Sequence, residues 1–229
     1  PLMALRAPVA LHQFRANVQT TAPAVEPVTA AELRTFLRET ATGLPDAEAN
    51  DFIAEAREYI EEMSGLALVT QTWLVALDSW PAGKAEWWDG VRQGSIVELY
   101  GPSSYSDIAL PRYPLQSIAG VNVYDEDGNA TAVTVASVFD VDTYSTPGRI
   151  ALKRGATWPV ALRAINAIEI TYVAGYGDAA ADVPATLKGA VKKMAGSLYA
   201  HRGDGCDVAD AYSMSGAAGM VGAYRVKRI

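Results

Sequence analysis

The sequence predicts an α+β fold, because two kinds of hydrophobic pattern occupy different parts of the chain. Toward both ends, apolar residues repeat every three or four positions, which is the period of an amphipathic helix. Between them, apolar and polar residues alternate over short runs separated by glycine and proline, which is typical of an antiparallel sandwich or barrel. We therefore expect an N-terminal helical hairpin and a C-terminal helix to form a small helical bundle. A β-rich region is inserted between them, and a flexible tail follows.

The first helix has a clear beginning at Thr29. Glu32 stands three residues later, so the two side chains and backbone amides can form a capping box, and Val28 can pack against Leu33 as a hydrophobic staple. We expect this helix to end near Gly43, which tolerates the left-handed conformation of a C-terminal cap.

The second helix follows Pro45, with Asp46 as its expected cap and Gly65 as its stop. Its apolar residues recur at helical spacing and its outer face is acidic. Only a few residues join it to the first helix, so residues 28–65 predict an antiparallel helical hairpin.

Residues 66–177 form the predicted β-rich insertion. The loop at residues 125–129 reads as a hairpin turn, and Trp73, Trp80 and Trp158 are expected to pack in or beside the β core. The candidate strands are Leu68–Asp78, Ser95–Tyr100, Asp107–Leu110, Ile118–Asp125, Ala130–Val135, Phe139–Val141, Arg149–Leu152 and Ala167–Val173.

The remaining segments lie at the two ends of the chain. Residues 178–202 predict a helix that starts at Pro184 and completes the bundle. Residues 203–229 are rich in glycine and alanine and contain no apolar stripe long enough for a stable helix, so we expect either a flexible tail or a tail that orders on a partner. Residues 1–27 contain several prolines and weak periodicity, which indicate an N-terminal arm.

The charge of the chain is concentrated in one region. The 229 residues carry a net charge of -7, and ten acids against three arginines fall between Glu26 and Glu62. An acidic helical face is most often a solvated surface, and an acidic protein binds DNA phosphates poorly. The only cysteine, Cys206, excludes an intramolecular disulfide. No apolar run reaches the roughly 20 residues of a membrane helix, and residues 1–11 lack the apolar core of a signal peptide.

Catalytic chemistry is not predicted. His12 and His201 belong to no metal-spaced cluster, and neither has a partner pattern for nucleophilic catalysis with Cys206. The GYG sequence at residues 175–177 lacks the spacing and lysine of a phosphate-binding loop, and the acidic loop at residues 125–129 lacks the glycine position of an EF-hand. We expect no enzyme activity, no cofactor and no metal.

Several short motifs occur in an order that carries more information than any one of them. The chain resembles the head–tail connector (adaptor) proteins of tailed bacteriophages and gene transfer agents over roughly residues 28–202. The motifs that carry the resemblance are VTAAEL at 28–33, YIEE at 59–62 with Gly65, LVTQTW at 68–73, LPRYPL at 110–115 with Ile118, YDEDG at 124–128, GRI at 148–150, WP at 158–159, ITYVAGYG at 170–177 and VP at 183–184.

The resemblance implies a structural role. Such proteins form a homo-oligomeric ring, usually dodecameric, under the portal protein, where they extend the DNA channel and present a surface to a tail-side connector or stopper protein. DNA passes without specific binding and no membrane is involved. The implied location is the head–tail interface of a virion or gene transfer agent particle assembled in the bacterial cytoplasm.

The resemblance also implies site residues. A C-terminal segment commonly threads into the portal, which assigns portal binding to the tail, and three further side chains are candidates for subunit or tail contacts. The tail residues are Tyr212, Tyr224, Arg225, Val226, Lys227, Arg228 and Ile229, and the contact candidates are Leu115, Trp87 and Trp88.

Two other functions remain open at this point. The β-rich region could instead be a binding module that grips a glycan or host receptor through Trp87, Trp88 and Tyr105. A hydrolase with an unrecognised site is the third hypothesis, and the titratable residues show no pattern that favours it.

Overall fold

The computed structural model describes residues 14–80, 107–153, 156–203 and 207–226, and the predicted α+β fold class is confirmed. The chain divides into two compact units. Among the described residues, the β unit comprises 14–20, 73–80, 107–111 and 117–173, and the helical unit comprises 21–72, 112–116 and 174–226.

The helical unit begins with α1 (Ala30–Leu37), and its capping box is confirmed. The Glu32 amide donates to Thr29 Oγ1 over 3.2 Å, and the Thr29 amide donates to Glu32 Oε2 over 2.9 Å. The predicted end near Gly43 is wrong, because Arg38 takes the left-handed conformation and the Glu39 amide closes the helix on the carbonyl oxygen of Arg34.

The second helix, α2 (Asp46–Ser64), follows Pro45, which occupies the cap position predicted for Asp46. Its predicted stop is confirmed, since Gly65 has a φ of 80° and donates to the carbonyl oxygen of Glu61. One face is buried and the other is exposed, as the apolar period requires. The buried residues of α2 are Ala49, Ile53, Ala56, Arg57, Ile60, Glu61 and Ser64.

Further along the chain, α4 (Ala185–Ala200) starts after Pro184 and ends at His201, as predicted. It packs against α2 and supplies much of the core of the helical unit. Buried residues shared between these helices include Ile53, Ile60, Leu187, Val191 and Met194.

The sequence expectation of a tail without stable helices is wrong for residues 208–222. Here α5 (Val208–Met214) and α6 (Ala217–Gly222) pack against α4 and against α2. Asp207 caps α5 by accepting from the Asp210 amide over 2.8 Å. Isolated helices of this length are unstable, so packing against the bundle is what makes them form. The helix propensity of these two segments alone did not predict that they would be helical.

The strands that build the β unit are β1 (Ala16–Thr21), β2 (Gln71–Leu77), β3 (Asp107–Ala109), β4 (Leu115–Tyr124), β5 (Ala130–Val133), β6 (Phe139–Asp142), β7 (Arg149–Leu152) and β8 (Ile168–Ala174). They form a five-stranded sheet with the order β1-β2-β8-β4-β5 and a three-stranded sheet with the order β3-β7-β6. The pairs β4–β5, β3–β7 and β6–β7 are antiparallel.

Most predicted strands are confirmed within a few residues. There are two exceptions. The strand β1 lies in the region that was predicted to be an unpacked arm. The predicted strand at residues 130–135 ends before Val135, where the short helix α3 (Val135–Val138) begins. The predicted strand at residues 95–100 lies outside the described residues. Trp73 is buried, and the rings of Trp80 and Trp158 contact each other and Phe139.

Candidate functional site

Only some of the candidate site residues fall within the described part of the chain. Tyr212 lies in α5, Leu115 opens β4, and Tyr224, Arg225 and Val226 follow α6. Outside the described residues are Lys227, Arg228, Ile229, Trp87, Trp88 and Tyr105.

The geometry of the site starts from the C-terminal end of α2. The last four carbonyl oxygens of a helix lack intrahelical donors, and here other parts of the helical unit donate to those of Glu61, Met63 and Ser64. Tyr113 donates its hydroxyl to the carbonyl oxygen of Ser64 over 2.5 Å. Its amide donates to the carbonyl oxygen of Gly65 over 3.2 Å, and its own carbonyl accepts from Ala67 over 2.8 Å. Residue 113 is thereby fixed to the end of α2 through both its backbone and its side chain.

Arg112 adds a positive charge to the same helix end. Its Nη1 donates to the carbonyl oxygen of Glu61 over 2.6 Å, and its Nη2 contacts the carboxylate of Glu62. A cation near a helix C-terminus is stabilised by the helix dipole. The last turn of α2 has no basic residue of its own, so the positive charge comes from elsewhere in the chain.

A buried polar cluster lies beneath this helix end. The carboxylate of Glu61 accepts from Arg57 Nη1 over 2.9 Å, from the Leu68 amide over 2.7 Å and from Gln71 Nε2 over 2.6 Å. Burial raises the pKa of Glu61, and these three donors oppose that effect. The cluster ties α2 to the residues that follow it and belongs to the support of the site.

The end of the described chain lies against the same place. Arg225 donates from Nη2 to the carbonyl oxygen of Met63 over 2.6 Å, and the Val226 amide lies 3.5 Å from the Tyr113 hydroxyl. Tyr224, Tyr176 and Val226 are partly buried against the core of the helical unit. We call the surface formed by Met63, Ser64, Tyr113 and Tyr176 the docking corner.

Tyr113 and Tyr176 keep their hydroxyl protons at physiological pH. Burial raises the pKa of Tyr176 to about 12, with smaller contributions from Tyr224 and Tyr113. Burial also raises the pKa of Tyr113. Their hydroxyls therefore act as hydrogen-bonding groups in a partly apolar surface, which suits contact with a peptide segment.

Two of the sequence-predicted site residues, one from the portal-binding tail and one contact candidate, are buried in their own chain. Tyr212 is 6% exposed and its ring contacts that of Tyr59, with 5.3 Å between centroids. Leu115 is 3% exposed. Neither side chain offers appreciable surface to a partner in this fold. The sequence did not indicate which elements cover these two residues.

The residues of the docking corner were not assigned a site role from the sequence. Tyr113 and Tyr176 lie inside the LPRYPL and ITYVAGYG motifs, which were noted only for their resemblance to a family. Those motifs meet in the helical unit, where the Gly175 amide donates to the carbonyl oxygen of Pro114 over 2.9 Å and Gln116 Nε2 donates to the carbonyl oxygen of Gly175 over 2.9 Å. The occurrence of both motifs in one chain was the sequence signal that could have indicated the docking corner.

The outer face of α2 carries a row of exposed carboxylates. Its exposed acidic residues Asp51, Glu55, Glu58 and Glu62 are three or four positions apart and so lie on one side of the helix. Such a face repels phosphate groups.

Other candidate sites have local structural explanations. His201 Nδ1 lies 2.9 Å from the carbonyl oxygen of Ser197 at the end of α4. In the 125–129 loop, Asp125 accepts from the Asn129 amide over 2.8 Å, which closes the hairpin turn. Among the described residues there is no cluster of metal-ligating side chains, and none of their helices is long and apolar enough to span a membrane.

Comparison with known proteins gives a consistent fold. No family model and no curated protein matches the chain. A chain in the neck of an empty gene transfer agent (GTA) particle computed with C6 symmetry is 22% identical, with a TM-score of 0.69 over 93% of this chain and 97% of that chain.

Two further structures are similar. One is a chain in the neck of a native GTA particle computed with C12 symmetry, with 21% identity and a TM-score of 0.66 over 93% of this chain and 97% of that one. The other is a chain in the virion of a native GTA particle, with 20% identity and a TM-score of 0.66 over 93% and 96% of the two chains. At these identities the likeness establishes a shared fold over nearly the full length of each chain.

Proposed function

We propose that this protein is a non-enzymatic structural component of the neck of a virion or gene transfer agent particle, where it acts as a head–tail connector. The observation that supports this most strongly is the fold shared with GTA neck chains over 93% of this chain. A shared fold by itself leaves function open. The ordered motifs of the sequence, which resemble the same class of protein, support the step from fold to function independently.

The proposed assembly is a ring. Neck structures with this fold were computed with C6 and with C12 symmetry, and a ring of twelve copies satisfies both. The ring would lie under the portal protein, extend the DNA channel and contact a tail-side connector or stopper protein. The particle would be assembled in the bacterial cytoplasm.

The charge of the chain fits a protein that DNA passes without binding. Counterion release from phosphates drives most nucleic-acid affinity, and the net charge of -7 with an acidic outer face on α2 works against it. No cofactor, metal or membrane enters the proposal.

The set of residues that we propose for portal binding is smaller than the set indicated by the sequence alone, because it leaves out Tyr212. Tyr224, Arg225 and Val226 are near the surface, whereas Tyr212 is in the core of the helical unit. We retain Lys227, Arg228 and Ile229 with the first group as portal-binding residues, because they continue the same basic and apolar sequence.

Native mass spectrometry of the full chain mixed with the portal ring encoded beside it tests this function. Binding in a copy number that matches the portal symmetry is the expected result. A chain that stays monomeric with the portal present, and is missing from purified particles, would contradict the proposal.

The informative truncation ends at Ala223. A truncation at residue 204 would remove Tyr212, Ala217 and Val221 from the core, so loss of binding would then report unfolding. The 1–223 chain keeps α5 and α6. If it folds and does not bind, the last six residues carry portal binding. If it binds as well as the full chain, the residues that bind the portal lie before Tyr224.

A further inference from the structure

We propose that the C-terminal region has two parts with different tasks, and that the second part must leave its own chain before it can bind a partner. The first part, residues 207–222, is a permanent clasp on the helical unit. The second part, Tyr224–Val226, is held on the docking corner in the free chain and is released when the portal takes it. This inference rests on the proposed function, since the portal is the competing partner.

The clasp is part of the core. Ala211 of α5 and Ala217 and Val221 of α6 are fully buried. At Gly189 of α4, an added Cβ would lie 2.9 Å from Met220 Cε, so a side chain at that position would press on α6. The clasp is therefore built to stay in place while the chain remains folded.

The held segment has much weaker attachments. Arg225 is exposed, and Tyr224 and Val226 are only partly buried. Two hydrogen bonds fix the segment to the docking corner, and the one between the Val226 amide and the Tyr113 hydroxyl is long at 3.5 Å. Arg225 also interacts with the Tyr212 hydroxyl of the clasp. A segment with few buried contacts and solvent-accessible hydrogen bonds opens at low free energy.

The docking corner loses little when the segment leaves. Arg225 satisfies the carbonyl oxygen of Met63 in the last turn of α2, and Met63 is an exposed residue, so water can take the place of the guanidinium. The Tyr113 hydroxyl keeps its bond to the carbonyl oxygen of Ser64. Release therefore leaves the Met63 carbonyl and the Tyr113 hydroxyl with partners, and its cost is the interaction between Arg225 and the buried Tyr212 hydroxyl.

The contacts on the docking corner also indicate the chemistry that a competing partner needs. It must offer an oxygen acceptor for Arg225, such as a helix C-terminal carbonyl or a carboxylate, beside an apolar surface for Tyr224 and Val226. The free chain binds such a partner with an affinity reduced by the fraction of molecules in which the segment is free.

Hydrogen–deuterium exchange of the full chain, alone and with the portal ring, tests the division. In the free chain, peptides from residues 207–222 should exchange slowly and the peptide from Ala223 onward should exchange faster but below the rate of an unfolded peptide. Adding the portal ring should change exchange in the second peptide and leave the first unchanged.

A substitution in the docking corner changes how firmly the segment is held without altering the residues that contact the portal, so it tests release separately from direct portal contact. Tyr113→Phe removes the acceptor of the Val226 amide while leaving the segment intact, so exchange from Ala223 onward should rise several-fold and the apparent Kd for the portal ring should fall. Tyr144→Phe, at a tyrosine of the β unit that is 99% exposed, is the matched control and should change neither quantity. Arg225→Ala in the free chain should also raise exchange from Ala223 onward, which provides a second variant if Tyr113→Phe does not fold.

Each outcome decides a different claim. Random-coil exchange from Ala223 onward in the unaltered free chain, or loss of protection in residues 207–222 on portal binding, overturns the two-part division. If the portal ring binds and hydrogen–deuterium exchange from Ala223 onward does not change, the release of the segment is overturned, while the two-part division stands. If no variant binds the portal ring although the free-chain exchange is as expected, the proposed function fails and release with it, while the hold on the docking corner stands.

Discussion

Arg57 donates from Nη1 to Glu61 Oε2 over 2.9 Å, and the two side chains are each 6% exposed. They are one turn apart on α2, and Arg57 also pairs with Glu26 over 2.8 Å. A buried pair of this kind gains Coulomb energy but is costly to desolvate, so its net effect on stability is small while both partners are present. Removing Glu61 takes away the most deeply buried partner of Arg57 and leaves its charge to the more exposed Glu26 and Glu58.

Glu61→Gln should therefore destabilise the helical unit by about 3 kcal/mol. The amide can still accept from Leu68, but the carboxylate that faces Arg57 is lost. Chemical denaturation followed by far-ultraviolet circular dichroism measures the change. Glu62→Gln is the matched control one residue away, since Glu62 is 74% exposed and its pair with Arg112 should contribute less than about 1 kcal/mol. Equal losses for the two variants would contradict the prediction.

Gly175 should be intolerant of any side chain. It has a φ of 143°, and an added Cβ would lie 2.6 Å from the Thr70 amide nitrogen, which is backbone and has little freedom to move. We expect Gly175→Ala to lower the free energy of unfolding by about 3 kcal/mol through backbone strain and steric overlap. Gly120→Ala in β4 meets nothing within 4 Å and serves as the control, with a change near zero. A small effect at Gly175 in the same denaturation assay would show that the turn can move.

Local sequence signals predicted the elements whose formation is decided locally. The capping box at Thr29 and the stop at Gly65 are both confirmed, because the residues that satisfy these helix ends are close in sequence. The alternation in the middle of the chain likewise predicted most strands, since burial of every second residue requires it.

Elements that depend on distant partners were missed. The strand β1 has a mostly exposed polar sequence and forms because it can pair with β2, which begins 50 residues after β1 ends. The docking corner joins Arg225 to Met63, which are 162 residues apart, and no sequence spacing indicates that contact. For the same reason the sequence did not indicate that the fold buries Leu115, a candidate subunit or tail contact, and Tyr212, a candidate portal-binding residue.

Replacing Arg38 with glycine should stabilise the helical unit. Arg38 has a φ of 62° at the end of α1, a conformation that costs a residue with a side chain roughly 1–2 kcal/mol and glycine very little. After the extra entropy of glycine in the unfolded chain is subtracted, we expect Arg38→Gly to gain about 0.5 kcal/mol. Arg38→Ala removes the same charge without relieving the backbone, so it should show no gain. Equal effects of the two substitutions would attribute the change to the charge.

The capping box of α1 should make stability depend on pH. The Thr29 amide, and to a lesser extent Lys188 and Lys192, lower the pKa of Glu32 below its ordinary value of 4.5. A carboxyl group whose pKa is lower in the folded chain binds fewer protons there than in the unfolded chain, so its contribution is present above the ordinary value and is lost as the pH falls through the lowered one.

Glu32→Gln should accordingly cost about 0.5–1 kcal/mol at pH 7 and less at pH 3.5, because the amide keeps the shape of the cap but not its charge. Denaturation of both proteins at the two pH values measures the difference. The same substitution made in a Thr29→Ala background is the control, and most of its pH dependence should remain, because the Thr29 amide that does most to lower the pKa of Glu32 is backbone and is kept in alanine. A cost for Glu32→Gln that is the same at both pH values would show that the carboxylate charge contributes nothing to the cap.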